Sequence, residues 1–254
     1  MSYGGVTADA VRDLIHGCIF TRGPKDLRNT AVFIGGTDMA EGERLLAAVR
    51  AAFFGPFSVS VMLDANGSNT TAVAAVRKLL HAAGGANGQR AIITAGTGPV
   101  GLRAAGLLAK AGADVTITSR RAVGDGVLEA LRARFGGRIG HAVMADSAGA
   151  AGVLEGATMV LNTGPAGVRL VPNDAWAGRA GLRVAADLNA VPPLGIEGIE
   201  VGDNAVERDG VTVFGALGVG NLKMKIHRAC IARLFERNDL VLDAESIDEV
   251  AGTL

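Results

Sequence analysis

The chain has 254 residues, with 25 basic against 25 acidic side chains, 49% apolar and 4% aromatic residues, two cysteines and 37 glycines. That length suits one large domain or two small ones with a real core, at roughly 100–200 residues per domain. Balanced charge gives no broad basic field for nucleic acid or anionic lipid, and Cys18 and Cys230, lacking a CxxC or His-rich companion, suit a reducing cytosol better than a disulfide scaffold or a metal site.

Small molecules are therefore the expected partners, with no nucleic acid, no membrane and no metal, and both cysteines are expected as buried thiols. The start, Met1-Ser2-Tyr3-Gly4-Gly5, has no basic leader followed by an apolar stretch, and no apolar run approaches the roughly 18 residues of a membrane helix. A cytoplasmic protein is expected. Glycine is about twice its ~7% average. It shows no G-x-y period and no Gly/Ser linker, and instead punctuates apolar segments, as in an α/β protein with tight turns.

In chain order, Thr7 to Cys18 reads as a helix, with Val11, Leu14, Ile15 and Cys18 at helical spacing. A strand over Thr30–Ile34 runs through Gly35-Gly36-Thr37-Asp38 into a helix from Glu41 to Phe53, ended by Gly55-Pro56. A second strand, Phe57 to Leu63, meets the polar stretch from Asp64 to Thr71, which leads into a helix carrying Val73, Val76, Leu79 and Leu80. Gly84 to Gly88 is the candidate domain boundary. Strands follow at Arg90–Thr94, Asp114–Ser119, Arg138–Met144, Thr158–Asn162, Arg183–Leu188 and Val211–Phe214, with a helix through Ala111 after the first. A glycine-rich turn (Gly215, Gly218, Gly220) opens a helix from Leu222 to about Glu236, and Leu242 to Val250 reads as a short capping helix. This alternation predicts a parallel, doubly wound Rossmann sheet plus a smaller α/β domain.

Gly96-Thr97-Gly98-Pro99-Val100-Gly101 follows a strand and opens a helix, which is the context that makes GxGxxG a dinucleotide fingerprint. Its first glycine permits the turn, its second lets backbone approach a pyrophosphate at the helix N-terminus, and its third allows close helix–strand packing. All six residues are expected at the cofactor. The next strand ends in Ser119-Arg120-Arg121 with no carboxylate for a ribose 2′-OH. These three residues favour a 2′-phosphate, so NADP is expected, with NAD the weaker alternative. Asn189, in the loop Asp187 to Gly195 after another strand, is also assigned to the cofactor.

The density of Asp64, Asn66, Ser68, Asn69, Thr70 and Thr71 supports two readings, helix capping or polar recognition of a heterocycle. Lys223, Lys225 and His227 lie in the expected first turns of their helix, where positive charge opposes the dipole. Anion binding and a solvated basic face both remain open there. No GxSxG elbow, Walker loop or HExxH occurs, so hydrolase and kinase readings lack support.

Together, the strings Phe53–Phe57, Leu63–Thr71, Ala95–Gly101, Asn189–Ile196 and Phe214–Gly220, continuing from Lys223 to Phe235, resemble the methylene-tetrahydromethanopterin dehydrogenase family in collinear order over essentially the whole chain. Family members usually begin with one further strand before the position of Tyr3–Thr7, which this chain is expected to lack. The resemblance implies homo-oligomers of two α/β domains around a cleft. A pterin-binding domain over residues 1–84, rejoined by 224–254, would accompany an NADP-binding domain over 85–223. It implies hydride transfer from methylene-tetrahydromethanopterin, for some members methylene-tetrahydrofolate, to NADP or NAD, a CH–NH donor reaction of one-carbon metabolism. The hydride leaves a carbon between two nitrogens, so no acid–base pair is required. On this basis Asn66 and Lys223 are expected to position the reacting groups, and Asp64, Asn69, Thr70 and Lys225 to contact the pterin. The alternatives are another two-domain NADP oxidoreductase, similar to shikimate dehydrogenase, and a non-catalytic NADP-binding paralogue.

Overall fold

The computed structural model describes residues 1–254. Its elements run α1 (Val11–Ile19), β1 (Ala31–Ile34), α2 (Met39–Ala51), β2 (Ser60–Leu63), α3 (Ser68–Ala83), β3 (Arg90–Thr94), α4 (Pro99–Lys110), β4 (Asp114–Ser119), α5 (Asp125–Phe135) and β5 (Arg138–Val143). They continue α6 (Ala150–Val153), β6 (Met159–Asn162), α7 (Asn173–Trp176), β7 (Val184–Asp187), β8 (Asn204–Arg208), β9 (Val211–Phe214), α8 (Ala216–Arg233), β10 (Val241–Leu242) and α9 (Ala244–Ala251). No helix is long and apolar enough to cross a membrane. The chain forms two compact units, Met1–Thr70 with Met224–Leu254, and Thr71–Lys223, so the divisions fall inside α3 and α8 and not at the turn Gly84 to Gly88.

The first unit carries a parallel three-stranded sheet in the order β1-β2-β10, with Ala31 opposite Ser60 and Val241 opposite Val61. Its central strand is buried along its whole length. Val11, Ile15 and Ile19 from α1 and Leu46 and Val49 from α2 close a core with Ile34, Val61 and Leu63. The expected strand from Phe57 starts later, at Ser60, because Phe54 and Phe57 exchange backbone hydrogen bonds (3.2 and 2.9 Å) across the Gly55-Pro56 turn. The expected C-terminal capping helix is preceded by β10, whose two residues pair on the far side of β2. Cys230 is buried, whereas Cys18 is only partly so.

The second unit holds a seven-stranded sheet in the order β5-β4-β3-β6-β7-β9-β8, parallel except for β8. Chain order reverses on either side of β3, the position where open α/β sheets bind ligands at the carboxyl ends of their strands. Strands β6 and β7 are buried throughout, as parallel strands covered on both faces must be. The antiparallel β8 was not expected, since it is almost entirely exposed and shows no apolar pattern. Asp209-Gly210, both at positive φ, make the two-residue turn that pairs it with β9.

The expected turn of Gly215, Gly218 and Gly220 is corrected: α8 begins at Ala216, and two of these glycines lie inside it. They serve close approach. A Cβ on Gly215 would stand 1.9 Å from the Glu200 carbonyl, and one on Gly218 2.0 Å from that of Asp203. Lys223 and Lys225 are therefore beyond the helix's first turn, and the expected opposition to its dipole falls away.

Candidate functional site

The expected fingerprint forms at the carboxyl end of β3. Ala95 takes a left-handed φ of 51°, and Gly96 N–H donates to the Thr118 carbonyl (2.8 Å), tying the turn to β4. A Cβ on Gly101 would lie 2.6 Å from the Gly96 Cα, and one on Gly96 2.9 Å from Ile117 Cβ, so these two glycines let the turn, helix and strand meet. At Gly98 an added Cβ meets nothing within 4 Å. Gly98 is also the N-cap of α4, with Pro99 opening the helix, so the first-turn amides that follow Pro99 have no intrahelical acceptors. Small backbone, free N–H groups and a helix dipole form an arrangement suited to a pyrophosphate.

At the end of β4 the side chains of Arg120 and Arg121 are exposed and engaged by no other side chain. Ser119 is occupied: its hydroxyl donates to the Arg121 carbonyl (2.5 Å) and lies 2.8 Å from His141 Nε2 on β5. His141 escaped the sequence reading because strand register alone places it there, opposite Ile117 and diagonal to Ser119.

A buried polar chain, also not foreseen, links the neighbouring strand ends. Thr94 Oγ1 donates to Asn162 Oδ1 (2.8 Å), and Asn162 Nδ2 donates to Asp187 Oδ1 (2.7 Å). Asp187 further accepts from the amides of Asn189 (3.0 Å) and Ile196 (2.9 Å). Its carboxylate thus holds three N–H donors and shapes the loop after β7. Asn189 turns its side chain into that loop, accepting from Val191 N–H (2.9 Å) and donating to the Pro193 carbonyl (3.2 Å). It organises backbone at the strand ends.

In the first unit, the polar stretch after β2 divides by direction. Asp64 (3% exposed), Asn69 (1%) and Thr70 (0%) point inward. Asp64 accepts from Thr70 N–H (3.0 Å) and Thr70 Oγ1 (2.7 Å), while Asn69 Nδ2 donates to the Leu63 carbonyl (2.6 Å). His227 Nδ1, from α8, lies 3.5 Å from Asp64 Oδ2, with Phe33 edge-on to its ring. Burial, and then the Asp64 carboxylate, push the Cys230 thiol up to about 11, which leaves it unreactive at neutral pH. Asn66 differs: it is exposed, holds φ 53°, and donates its N–H to the Gly36 carbonyl (2.6 Å). Lys225 is exposed and Lys223 half-buried.

The fold and fingerprint together define a Rossmann-type dinucleotide-binding protein. Residues 1–66 match the family model for methylene-tetrahydromethanopterin dehydrogenase, N-terminal. Over 251 residues, 98% of this chain and 87% of the relative, the chain is 48% identical to bifunctional protein MdtA of Methylorubrum extorquens AM1. It is 32% identical to that organism's NAD(P)-dependent methylenetetrahydromethanopterin dehydrogenase, covering 95% of this chain and 84% of the relative. The chain belongs to the methylene-tetrahydromethanopterin dehydrogenase family. Among solved structures, a shikimate 5-dehydrogenase from Listeria monocytogenes shares the fold, with a TM-score of 0.52 at 13% identity over 96% of this chain and 83% of its own.

Proposed function

We propose that this protein oxidises the methylene bridge of methylene-tetrahydromethanopterin by hydride transfer to NADP, with NAD as the weaker acceptor, a CH–NH donor reaction of one-carbon metabolism. Family membership across nearly the whole chain supports a dehydrogenase over the two alternatives. The observation that carries the reading is the open loop at Gly98 between two glycines that admit no side chain.

Gly98 and the first turn of α4 would hold the pyrophosphate, and Arg120 and Arg121 the 2′-phosphate. The bound dinucleotide supplies the hydride acceptor. Asn66, exposed on a loop anchored beneath by Asp64 and Thr70, would orient the pterin, with Lys223 and Lys225 supplying positive charge toward it. The departing hydride leaves a cation stabilised by the two flanking pterin nitrogens, so these residues bind and orient without moving a proton. Buried Asp64, Asn69 and Thr70 would act by shaping this loop. We place pterin binding in the unit of residues 1–70 with 224–254 and NADP binding in that of 71–223, in a cytoplasmic homo-oligomer.

The test is the appearance of reduced nicotinamide with methylene-tetrahydromethanopterin, methylene-tetrahydrofolate or shikimate as donor. Turnover with a methylene-pterin is expected. Turnover with shikimate alone, or with no donor while NADP still binds, would overturn the reading in favour of one alternative or the other.

A further inference from the structure

A serine hydroxyl carries one proton, and at Ser119 its destination is determined. The Arg121 carbonyl, 2.5 Å away, can only accept, so Ser119 donates to it. The contact of 2.8 Å to His141 must then run the other way, with His141 Nε2–H donating to Ser119 Oγ. The result is a directed chain from imidazole to hydroxyl to backbone carbonyl. It ends on the turn that carries the two unengaged guanidinium groups, Arg120 and Arg121. Without His141, the hydroxyl gains freedom to rotate away from the carbonyl, and the turn loses a restraint.

We propose that His141 is a specificity-determining positioning residue, which holds the Ser119–Arg121 turn so that both arginines meet a ribose 2′-phosphate. The assignment rests on the proposed NADP reading and adds a residue outside the fingerprint and its second strand. Nothing in the local sequence of β5 marks it. It acts through Ser119, and Ser119 itself contributes by fixing backbone, since its proton is already committed.

Calorimetric titration of the full chain with 2′,5′-ADP and 5′-AMP separates the phosphate contribution from the rest of the nucleotide and needs no turnover. For His141→Ala the affinity for 2′,5′-ADP is expected to fall about five- to tenfold, the size of one hydrogen bond's net contribution, with 5′-AMP unchanged within about twofold. His141→Gln, whose amide can donate from a similar reach, is expected to restore most of the loss. Equal losses for both nucleotides, no loss for 2′,5′-ADP, or failure of the glutamine variant to recover with its melting temperature intact would each overturn the assignment. A wild-type protein that binds 5′-AMP as tightly as 2′,5′-ADP would overturn the NADP reading beneath it, and this inference with it.

Discussion

The loop after β3 and the loop after β2 occupy equivalent places, each at the carboxyl end of a buried parallel strand and each leading into a helix, yet they use their sequences in opposite ways. At Gly96–Gly101 the motif removes side chains, and the space it clears at Gly98 stays open. At Asp64–Thr71 the motif is dense in polar groups, and the fold takes up half of them: Thr70 donates twice to Asp64, Asn69 donates to the Leu63 carbonyl, and Asn66 faces outward. A glycine pattern in the right context therefore leaves backbone and space free more directly than a cluster of polar residues does, because buried polar groups must first satisfy the protein's own hydrogen bonds.

This contrast is sharpest at Gly101. Gly101→Ala puts a Cβ against the Gly96 backbone, where no side-chain rotation relieves it. We expect NADP affinity to fall more than about tenfold and stability to drop by about 2–3 kcal/mol, read by titration and by urea unfolding. Asp64→Ala should show the structural side of the other loop, costing about 2 kcal/mol by stranding the buried Thr70 donors.

Asp203 offers a pH-dependent counterpart away from both loops. Burial alone would raise its carboxyl, but the Arg208 fork and the Glu200 amide outweigh burial and hold it below the usual carboxylate range. A depressed folded value stabilises above the unfolded pKa of about 4 and is lost as pH falls below it. Asp203→Asn should therefore lower the melting temperature at pH 7, by about 1–2 kcal/mol in stability, with the difference shrinking in acid below about pH 4. Asn66→Gly keeps the left-handed backbone while removing the exposed amide. Stability should change by less than about 0.5 kcal/mol, while kcat/KM for the methylene-pterin falls about tenfold. Ala95→Gly, at φ 51°, should be the mildest, raising stability by up to about 1 kcal/mol without loss of NADP binding.

The doubly wound sheet was legible because β3, β6, β7 and β9 are short, mostly apolar runs, as burial on both faces demands, while β4 alternates apolar with polar residues, and turn residues separate them all. Strand β8 was not, since an exposed edge strand needs no apolar pattern; only the Asp209-Gly210 turn signalled it. The start of α8 was misread because glycine marks both turns and close packing, and the carbonyls of Glu200 and Asp203 that require Gly215 and Gly218 come from another segment. In the candidate site, the spacing of Gly96, Gly98 and Gly101 and their place between β3 and α4 are readable locally. His141 and the chain from Thr94 through Asn162 to Asp187 are not, because strand pairing alone assembles them. Nor could composition say which polar residues after β2 turn inward, since that depends on what Leu63 and His227 bring to meet them.

The most direct test is kcat/KM for NADP and for NAD with methylene-tetrahydromethanopterin, in the wild type and in an Arg120→Ala, Arg121→Ala double variant. The wild type should prefer NADP, and the double variant should lose that preference mainly through KM for NADP, by about tenfold or more. A wild-type preference for NAD, or an NADP preference that survives removal of both arginines, would contradict the account.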